Sequence, residues 1–264
     1  MHVRQLENRY GVTLLNRSST GVEPTEAGRQ FYARAIDVLN ACERAEETLR
    51  ELSGAVADHI HVGLMPTFTG SVLTPALMRF GKDYPNVRVS IEEAYSSALS
   101  ARVYEGALDF AVVPAVDTDL GLETSLMAED IECLVCAANS PLSIDGPVRL
   151  KELPPLNLVL PSTVNARRPR IERYLAVNGI KVNEVMELDA MLGTLDIVAN
   201  SAWLSILPSV LGRGDRDGMK RRFRPLIDPP LSVEYMRIVN KAKPARTRCP
   251  GLRRCPPGRA EHRA

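Results

Sequence analysis

Three short loops carry small hydroxyl side chains, and each follows a short apolar segment of the chain. They lie at residues 65–70, at Ser96 and Ser97, and at residues 161–165. In folds whose strands alternate with helices, ligands bind outside the carboxyl ends of the strands. The free N–H groups of the helices behind such loops favour anions. Together the loops predict a site for an anion or another polar metabolite, whereas any single hydroxyl is more typical of a helix cap.

The residue types and their spacing give little support for a catalytic or metal-binding site. The histidines lie at the start, in the linker and in the tail of the chain, at His2, His59, His61 and His262. The sequence has no Ser/His/Asp ordering, no His-Glu-x-x-His pattern and no phosphate-binding glycine loop. Cys133 and Cys136 have the spacing of a redox motif, but a strand places residues three apart on opposite faces. We expect no catalytic residue, no cofactor and no metal ion.

The elements that must position the loops follow from hydrophobic periodicity. Strands are predicted at residues 60–64, 87–91, 109–113, 132–137, 156–160, 185–188, 204–207 and 233–239. Helices are predicted between them at residues 71–84, 97–105, 165–178 and 190–200. Strands that alternate with helices over this length indicate an α/β fold with parallel, doubly wound sheets arranged in two lobes.

A long helix is predicted ahead of these elements, from Thr25 as N-cap to a stop at Ser53 and Gly54. Its apolar or small residues alternate at intervals of four and three, which is an a/d heptad pattern. They are Phe31, Ala35, Val38, Cys42, Ala45, Leu49 and Leu52. A stripe this narrow is typical of a helix that pairs with a second copy of itself. The alternative is a helix packed on its own domain.

The composition is that of a globular protein with no overall charge bias. The chain has 264 residues, 45% of them hydrophobic, with 33 Lys and Arg against 32 Asp and Glu. Residues 241–264 hold eight of the basic residues and one acid, and we expect a disordered basic tail at 246–264. No segment approaches the roughly 18 apolar residues of a membrane span, and no secretion signal is present. We expect a cytoplasmic protein without a membrane partner.

Several motifs resemble one known family. The segments Val3-Arg-Gln-Leu-Glu7, Tyr10-Gly-Val-Thr-Leu-Leu-Asn-Arg17 and Glu23-Pro-Thr-Glu-Ala-Gly28 are similar in order and spacing to the N-terminal signature of the LysR-type transcriptional regulators. Leu73-Thr-Pro-Ala-Leu77, Gly106-Ala-Leu-Asp109, and Ile197-Val-Ala-Asn200 followed by Ile206-Leu-Pro208 extend the resemblance over about residues 1–245.

The resemblance implies three parts. A partial winged helix-turn-helix is expected at 1–25, with Met1 already inside the recognition helix, and a dimerising linker helix at 26–54. An effector domain shaped like a type 2 periplasmic binding protein is expected at 59–245, with lobe I at about 59–130 plus 233–245 and lobe II at about 131–232. Members of the family bind promoter DNA as dimers or tetramers, respond to a small molecule between the lobes, and are not enzymes.

The resemblance also assigns candidate DNA-binding residues. Arg4 and Gln5 lie on the recognition helix, and Arg17 stands at the start of the wing. Thr25 lies where a hydroxyl and a helix N-terminus can meet a phosphate. The alternative is that the arginines of the first helix, Arg4 and Arg9, merely solvate an exposed surface.

Candidate effector-binding residues come from the loops and from the wall opposite them. They are Thr67, Phe68, Ser96, Ser97, Ser162, Thr163, Met191, Gly193 and Thr194. Phe68 is expected either to offer a stacking face or to close its loop. Arg167 and Arg168 are expected either to pair with an acidic group or to face solvent.

Three other functions compete with a ligand-responsive regulator. A free-standing binding protein of the same fold is disfavoured by the heptad helix and the missing secretion signal. An α/β enzyme is disfavoured because the predicted cleft has no nucleophile or base. A chain that forms dimers and binds an effector without reading DNA would follow from the partial recognition motif.

Overall fold

The computed structural model of the protein describes residues 3–18, 21–52, 59–114, 121–143, 146–163, 165–215 and 218–241. The predicted helix stop at Ser53 and Gly54 and the predicted basic tail at 246–264 lie outside the described residues. The chain divides into two compact units. The first holds residues 1–57 and 105–107, and the second holds residues 58–104 and 108–264.

The first unit is a short helix, a hairpin and a long helix. Its elements are α1 (Val3–Tyr10), β1 (Leu15–Ser18), β2 (Gly21–Pro24) and α2 (Glu26–Leu52). The helix α1 ends at Gly11, whose φ of +66° lies in the left-handed region that favours glycine. Strands β1 and β2 pair antiparallel, with Leu15 opposite Pro24. The segment expected to form a wing is therefore a two-stranded hairpin.

A carboxylate on α1 holds the start of this hairpin. Glu7 Oε1 accepts the backbone N–H groups of Leu14 at 2.7 Å and of Leu15 at 3.0 Å. These two hydrogen bonds lower the pKa of Glu7, because they stabilise its charged form. The contact fixes the direction in which the chain leaves α1.

Thr25 caps the long helix α2, as the sequence predicts. Its Oγ1 accepts the N–H of Gly28 at 2.9 Å and donates to the carbonyl of Thr13 at 2.7 Å. A Cβ at Gly28 would stand 2.1 Å from the carbonyl oxygen of Leu14, so only glycine allows this close approach of helix and hairpin.

The predicted heptad residues of α2 are largely exposed in the single chain. Phe31, Val38 and Leu49 are 45%, 62% and 67% exposed, and Cys42 and Ala45 are exposed as well. Ala35 is half-buried, and the side chain of Leu52 lies outside the described residues. An apolar stripe with this exposure is available to a partner helix.

The second unit alternates strands and helices. Its strands are β3 (His59–Leu64), β4 (Arg88–Glu93), β5 (Phe110–Pro114), β6 (Leu122–Ala137), β7 (Leu156–Leu160), β8 (Val182–Glu187), β9 (Leu204–Pro208), β10 (Arg221–Pro225) and β11 (Ser232–Asn240). Its α-helices are α3 (Pro66–Thr69), α4 (Leu73–Asp83), α5 (Ser96–Glu105), α6 (Arg167–Val177) and α7 (Met191–Asn200). The periodicity predicts all of these except α3, β10 and residues 122–131 of β6. No helix in the described ranges is long and apolar enough to cross a membrane.

The strands form one sheet in the order β4-β3-β5-β11-β6-β9-β7-β8, with β10 beside β6. The pairs β3–β4, β3–β5, β7–β8 and β7–β9 are parallel, as predicted. The pairs made by β6 and β11 are antiparallel, which differs from the prediction. The reason is that β6 carries the chain out of one half of the sheet and β11 returns beside it in the opposite direction.

These pairings define two halves, which we call lobe I and lobe II. Lobe I contains β3, β4, β5, β11 and residues 122–131 of β6, and lobe II contains residues 132–137 of β6 with β7, β8, β9 and β10. Each lobe has its own core. Leu99, Val103 and Val112 are fully buried in lobe I, and Leu134, Leu158 and Ile206 are fully buried in lobe II.

The two cysteines of β6 lie on opposite faces of the strand, as the spacing predicts. Cys136 packs in the same core cluster as Leu134, whereas Cys133 packs in a separate cluster with Val198 and Leu207. Burial raises the pKa of the Cys133 thiol to about 12. A thiol with this pKa stays protonated and unreactive near neutral pH.

The close packing of β3 gives a test of the lobe I core. A Cβ at Gly63 would stand 2.8 Å from side-chain atoms of Leu99, Leu108 and Ala111. We expect Gly63→Ala to lower the free energy of unfolding by about 1–3 kcal/mol, because added volume in a filled core forces its neighbours apart. Urea denaturation measures the change.

The matched control is Gly81→Ala in α4, where the added Cβ meets nothing within 4 Å. This change should leave stability unaltered or raise it by about 0.5–1 kcal/mol, since alanine is the better helix former. Equal stability of both variants would contradict the packing described for β3.

Candidate functional site

A cleft of about 990 Å³ lies between lobe I and lobe II. Lobe I lines it from the ends of β3 and β4 and from the start of α5, and lobe II lines it from the start of α7. The polar residues at its wall include Glu93, Tyr95, Ser97, Asn165 and Asp189. These side chains follow the carboxyl ends of strands, where the sequence predicts the site.

One side chain joins the two lobes across the cleft. The hydroxyl of Tyr95 donates to the backbone carbonyl of Asp189 at 2.9 Å. Burial raises the pKa of Tyr95, and the negative charges of Asp189 and Glu93 raise it further. The phenol therefore stays protonated and remains a donor at neutral pH.

A second cavity adjoins the cleft and shares Tyr95, Asn165 and Met191 with it. Its volume of about 20 Å³ has room for roughly one water molecule. Its remaining polar lining comes from Thr67, Arg167, Thr194 and Ser205. The side-chain hydroxyl of Ser205 is already engaged, since it donates to the carbonyl of Val159 at 2.8 Å.

A buried ion pair borders this small cavity. Arg167 Nη2 lies 2.8 Å from both carboxylate oxygens of Glu132 and 3.2 Å from the carbonyl of Ile206. Arg167 is 7% exposed and Glu132 is 3% exposed. Burial by itself lowers the pKa of Arg167, but its attraction to Glu132 outweighs this and raises it, so the guanidinium stays charged. Arg167 Nε is buried and has no hydrogen-bond partner among the described residues.

The neighbouring arginine holds a loop of lobe II. Arg168 Nε binds Glu172 at 2.8 Å, and its Nη1 donates to the carbonyl of Pro161 at 2.8 Å and lies 3.8 Å from Glu187. Both arginines therefore pair with carboxylates of the protein itself. Of the two predicted alternatives, a face toward solvent is wrong for Arg167 and Arg168, which are 7% and 8% exposed.

The structure brings four of the nine predicted effector residues to the cavities. Ser97 lines the cleft, Thr67 and Thr194 line the small cavity, and Met191 lines both. The other five lie elsewhere: Phe68, Ser96, Ser162, Thr163 and Gly193 are not among the lining residues.

Three of those five residues make contacts elsewhere in the lobes. Phe68 packs edge-on against Tyr235 in the lobe I core with ring centroids 4.6 Å apart, so it closes its loop. Ser96 is buried with Oγ 3.7 Å from the sulfur of Met65. Ser162 donates its backbone N–H to Asp189 at 3.0 Å, and Thr163 is exposed.

Sequence reasoning missed the residues that dominate the cleft. Glu93, Tyr95, Asn165 and Asp189 each lie at the end of a strand or just before a helix. A polar residue in that position was the available signal. The prediction of small hydroxyl side chains did not include carboxylates, amides or a phenol.

The predicted DNA-binding residues of the first unit differ in how accessible their side chains are. Arg4, Gln5 and Arg17 are exposed on α1 and β1. The hydroxyl of Thr25 is engaged inside the unit, where it caps α2 and donates to Thr13. A contact of Thr25 with phosphate stays a prediction.

Comparison with known proteins identifies the family. The LysR substrate binding domain matches residues 53–253, and the bacterial regulatory helix-turn-helix protein domain of the lysR family matches residues 1–29. The chain belongs to the LysR family of transcriptional regulators. The resemblance seen in the sequence motifs is thereby confirmed.

Individual relatives and solved structures are also similar to this LysR regulator. It is 26% identical over 213 residues to the nitrogen assimilation regulatory protein nac of Klebsiella aerogenes, which covers 80% of this chain and 68% of the relative. The structure of full-length CbnR complexed with its target DNA is similar with a TM-score of 0.69 at 19% identity, over 92% of this chain and 83% of CbnR. The effector binding domain of QuiR in complex with shikimate has a TM-score of 0.60 at 15% identity, over 69% and 87%. The two-lobed α/β fold is confirmed.

The buried ion pair of this LysR regulator gives a second test. Arg167→Met leaves the Glu132 carboxylate buried without its cation, and we expect the free energy of unfolding to fall by about 3–5 kcal/mol. Arg149→Met is the matched control, since Arg149 binds Asp228 at 2.6 Å where both side chains are about half exposed. Its loss should cost at most about 1 kcal/mol. Denaturant melts of both variants measure the difference, and equal losses would contradict the role given to burial.

Proposed function

We propose that this LysR regulator binds promoter DNA as a homodimer or homotetramer and that a small polar or carboxylate-bearing metabolite in the cleft controls this binding. The observation that carries the proposal is the cleft of about 990 Å³ bridged by the Tyr95–Asp189 hydrogen bond. A ligand that contacts both lobes at this point favours one arrangement of the lobes over another. The protein acts as a regulator and not as an enzyme.

Two features support DNA binding by the first unit. Arg4, Gln5 and Arg17 are exposed on a helix and a hairpin that match the family's helix-turn-helix domain. Arginines of this kind bind phosphates and base edges. We propose residues 1–25 as the DNA-binding region, with Thr25 at a phosphate through the N-terminus of α2.

Three observations support metabolite binding by the second unit. The helix α7 begins after Ala190 without a side-chain cap, so its first N–H groups are available beside the cleft, which Ala190 and Met191 line. Hydroxyls of Thr67, Ser97 and Thr194 add hydrogen-bonding groups from both lobes. The similar QuiR domain holds shikimate. We propose residues 59–245 as the effector domain.

The exposed stripe of α2 supports self-association. Apolar residues at a/d spacing that are exposed in one chain are buried when two such helices pair. We propose residues 26–54 as the dimerising helix, with Phe31, Val38 and Leu49 as its largest described contacts.

A gel-shift assay with the intergenic DNA beside the gene tests the function. We expect a complex that prefers this sequence and weakens with salt. Arg17→Ala should weaken binding on every DNA and reduce the salt slope by about one phosphate contact. Arg79→Ala on α4, in the second unit, is the matched control and should leave binding unchanged. If the protein forms dimers and binds a metabolite but gives no sequence-preferring complex with DNA, the proposed DNA recognition is wrong and the rest of the proposal stands.

A charged residue introduced into the a/d stripe of α2 tests whether this stripe forms the dimer contact. Val38→Glu should dissociate the dimer, because a carboxylate cannot be buried unpaired between two helices. Leu39→Glu is the matched control, since Leu39 is similarly exposed at 59% but lies outside the a/d positions. Light scattering on the purified protein gives the mass of each. Dissociation by Leu39→Glu but not by Val38→Glu would show that another face of α2 pairs.

A further inference from the structure

The charges at the wall of the cleft do not balance. Glu93, Asp189 and Asp215 line it, and among its described lining residues Arg221 is the one cation. Arg221 is committed to Asp215, with Nε 2.8 Å from Oδ2 and Nη2 3.0 Å from Oδ1, and it also donates to the carbonyl of Leu195. Because Arg221 neutralises Asp215, the net charge of the wall comes from the carboxylates of Glu93 and Asp189.

Neutral donors hold both of these carboxylates in place. Glu93 accepts a hydrogen bond from the hydroxyl of Thr69, and Asp189 Oδ1 accepts the backbone N–H of Ser162 at 3.0 Å. Neither forms an ion pair within the described part of the chain. Glu93 belongs to lobe I and Asp189 to lobe II, and both flank Tyr95, which joins the lobes. The carboxylates of Glu93 and Asp189 therefore lie in different lobes, next to the Tyr95 contact that joins them.

The buried side chain of Arg167 is an independent observation, and it points to a ligand that also carries a hydrogen-bond acceptor. Arg167 is 7% exposed, its Nε–H has no partner in the part of the chain that the structure describes, and the residue lines the small cavity that adjoins the cleft. A buried donor without an acceptor is costly unless a ligand or a water supplies one. Because Glu132 cancels the charge of Arg167, this corner offers a hydrogen bond to an oxygen atom but little net attraction for a free anion.

We propose that the metabolite in the cleft is a zwitterion of the amino-acid type, with an ammonium group between Glu93 and Asp189 and an oxygen acceptor at the Arg167 Nε–H. The acceptor is reached directly or through the one water for which the small cavity has room. This inference rests on the proposed function and names the chemical class of its effector. A purely anionic acid would desolvate two like charges without neutralising either.

Matched ligands separate the two groups. The full-length protein is titrated calorimetrically with the standard L-amino acids, with 2-hydroxy acids in which a hydroxyl replaces the ammonium, and with amines that lack the carboxylate. We expect at least one amino acid to bind, and its hydroxy-acid and amine counterparts to bind at least about tenfold more weakly, since each lacks one charge-assisted hydrogen bond.

Substitutions that keep shape and remove charge test the residues. Glu93→Gln and Asp189→Asn should each weaken binding of that amino acid by at least about tenfold, and both should fold normally because the two side chains are exposed. Asp83→Asn, an exposed carboxylate on α4 that does not line the cleft, is the control and should change nothing.

The outcomes distinguish this inference from the proposed function. If a hydroxy acid binds as tightly as its amino acid and Glu93→Gln has no effect, the zwitterion is wrong while metabolite control stands. If the amine alone binds as tightly, the role of Arg167 is wrong. If no compound of the three series binds, the zwitterion is wrong, while control by a polar metabolite outside these series stands.

Discussion

Glu132 and Arg167 are buried together where β6 passes from lobe I into lobe II, and the shape of the cleft depends on this pair. The backbone of Glu132 bonds to Leu231 at 2.8 Å and to Leu226 at 3.0 Å, so its carboxylate is fixed relative to the sheet. Arg167 begins α6, and its position sets the loop that ends in Asn165 at the cleft wall. A buried pair contributes less to net stability than to one defined arrangement, because desolvation offsets much of its attraction.

The hydrogen bond of Tyr95 to Asp189, between the lobes at the cleft, is weaker by comparison. The Tyr95 hydroxyl and the Asp189 carbonyl form one neutral hydrogen bond, worth about 0.5–1.5 kcal/mol. A ligand with charged groups at the same place brings interaction energy of at least this size. Strand β6 continues from lobe I into lobe II, and this continuity keeps the two lobes in register.

The first unit was the more predictable part, because its contacts are local. Thr25 caps α2 as its residue type and position indicate, whereas the hydrogen bonds of Glu7 to backbone groups seven and eight residues away were not predicted. The heptad spacing also predicts an apolar face of α2, and that this face pairs with a second copy stays a prediction, because Leu39 outside it is as exposed as Val38. A helix cap follows from residue type and position, because the capping side chain and the N–H groups it accepts are only a few residues apart.

The sequence by itself determined the family, the alternation of strands and helices, and the opposite faces of Cys133 and Cys136. Tertiary structure decided the antiparallel course of β6 and β11 and which side chains line the cleft. Ser97 reaches it and Ser96 does not, although they are adjacent and alike. Tyr95 meets Asp189 across 94 positions. Periodicity reports which residues share a face, but only packing between distant segments decides which face looks into the cavity.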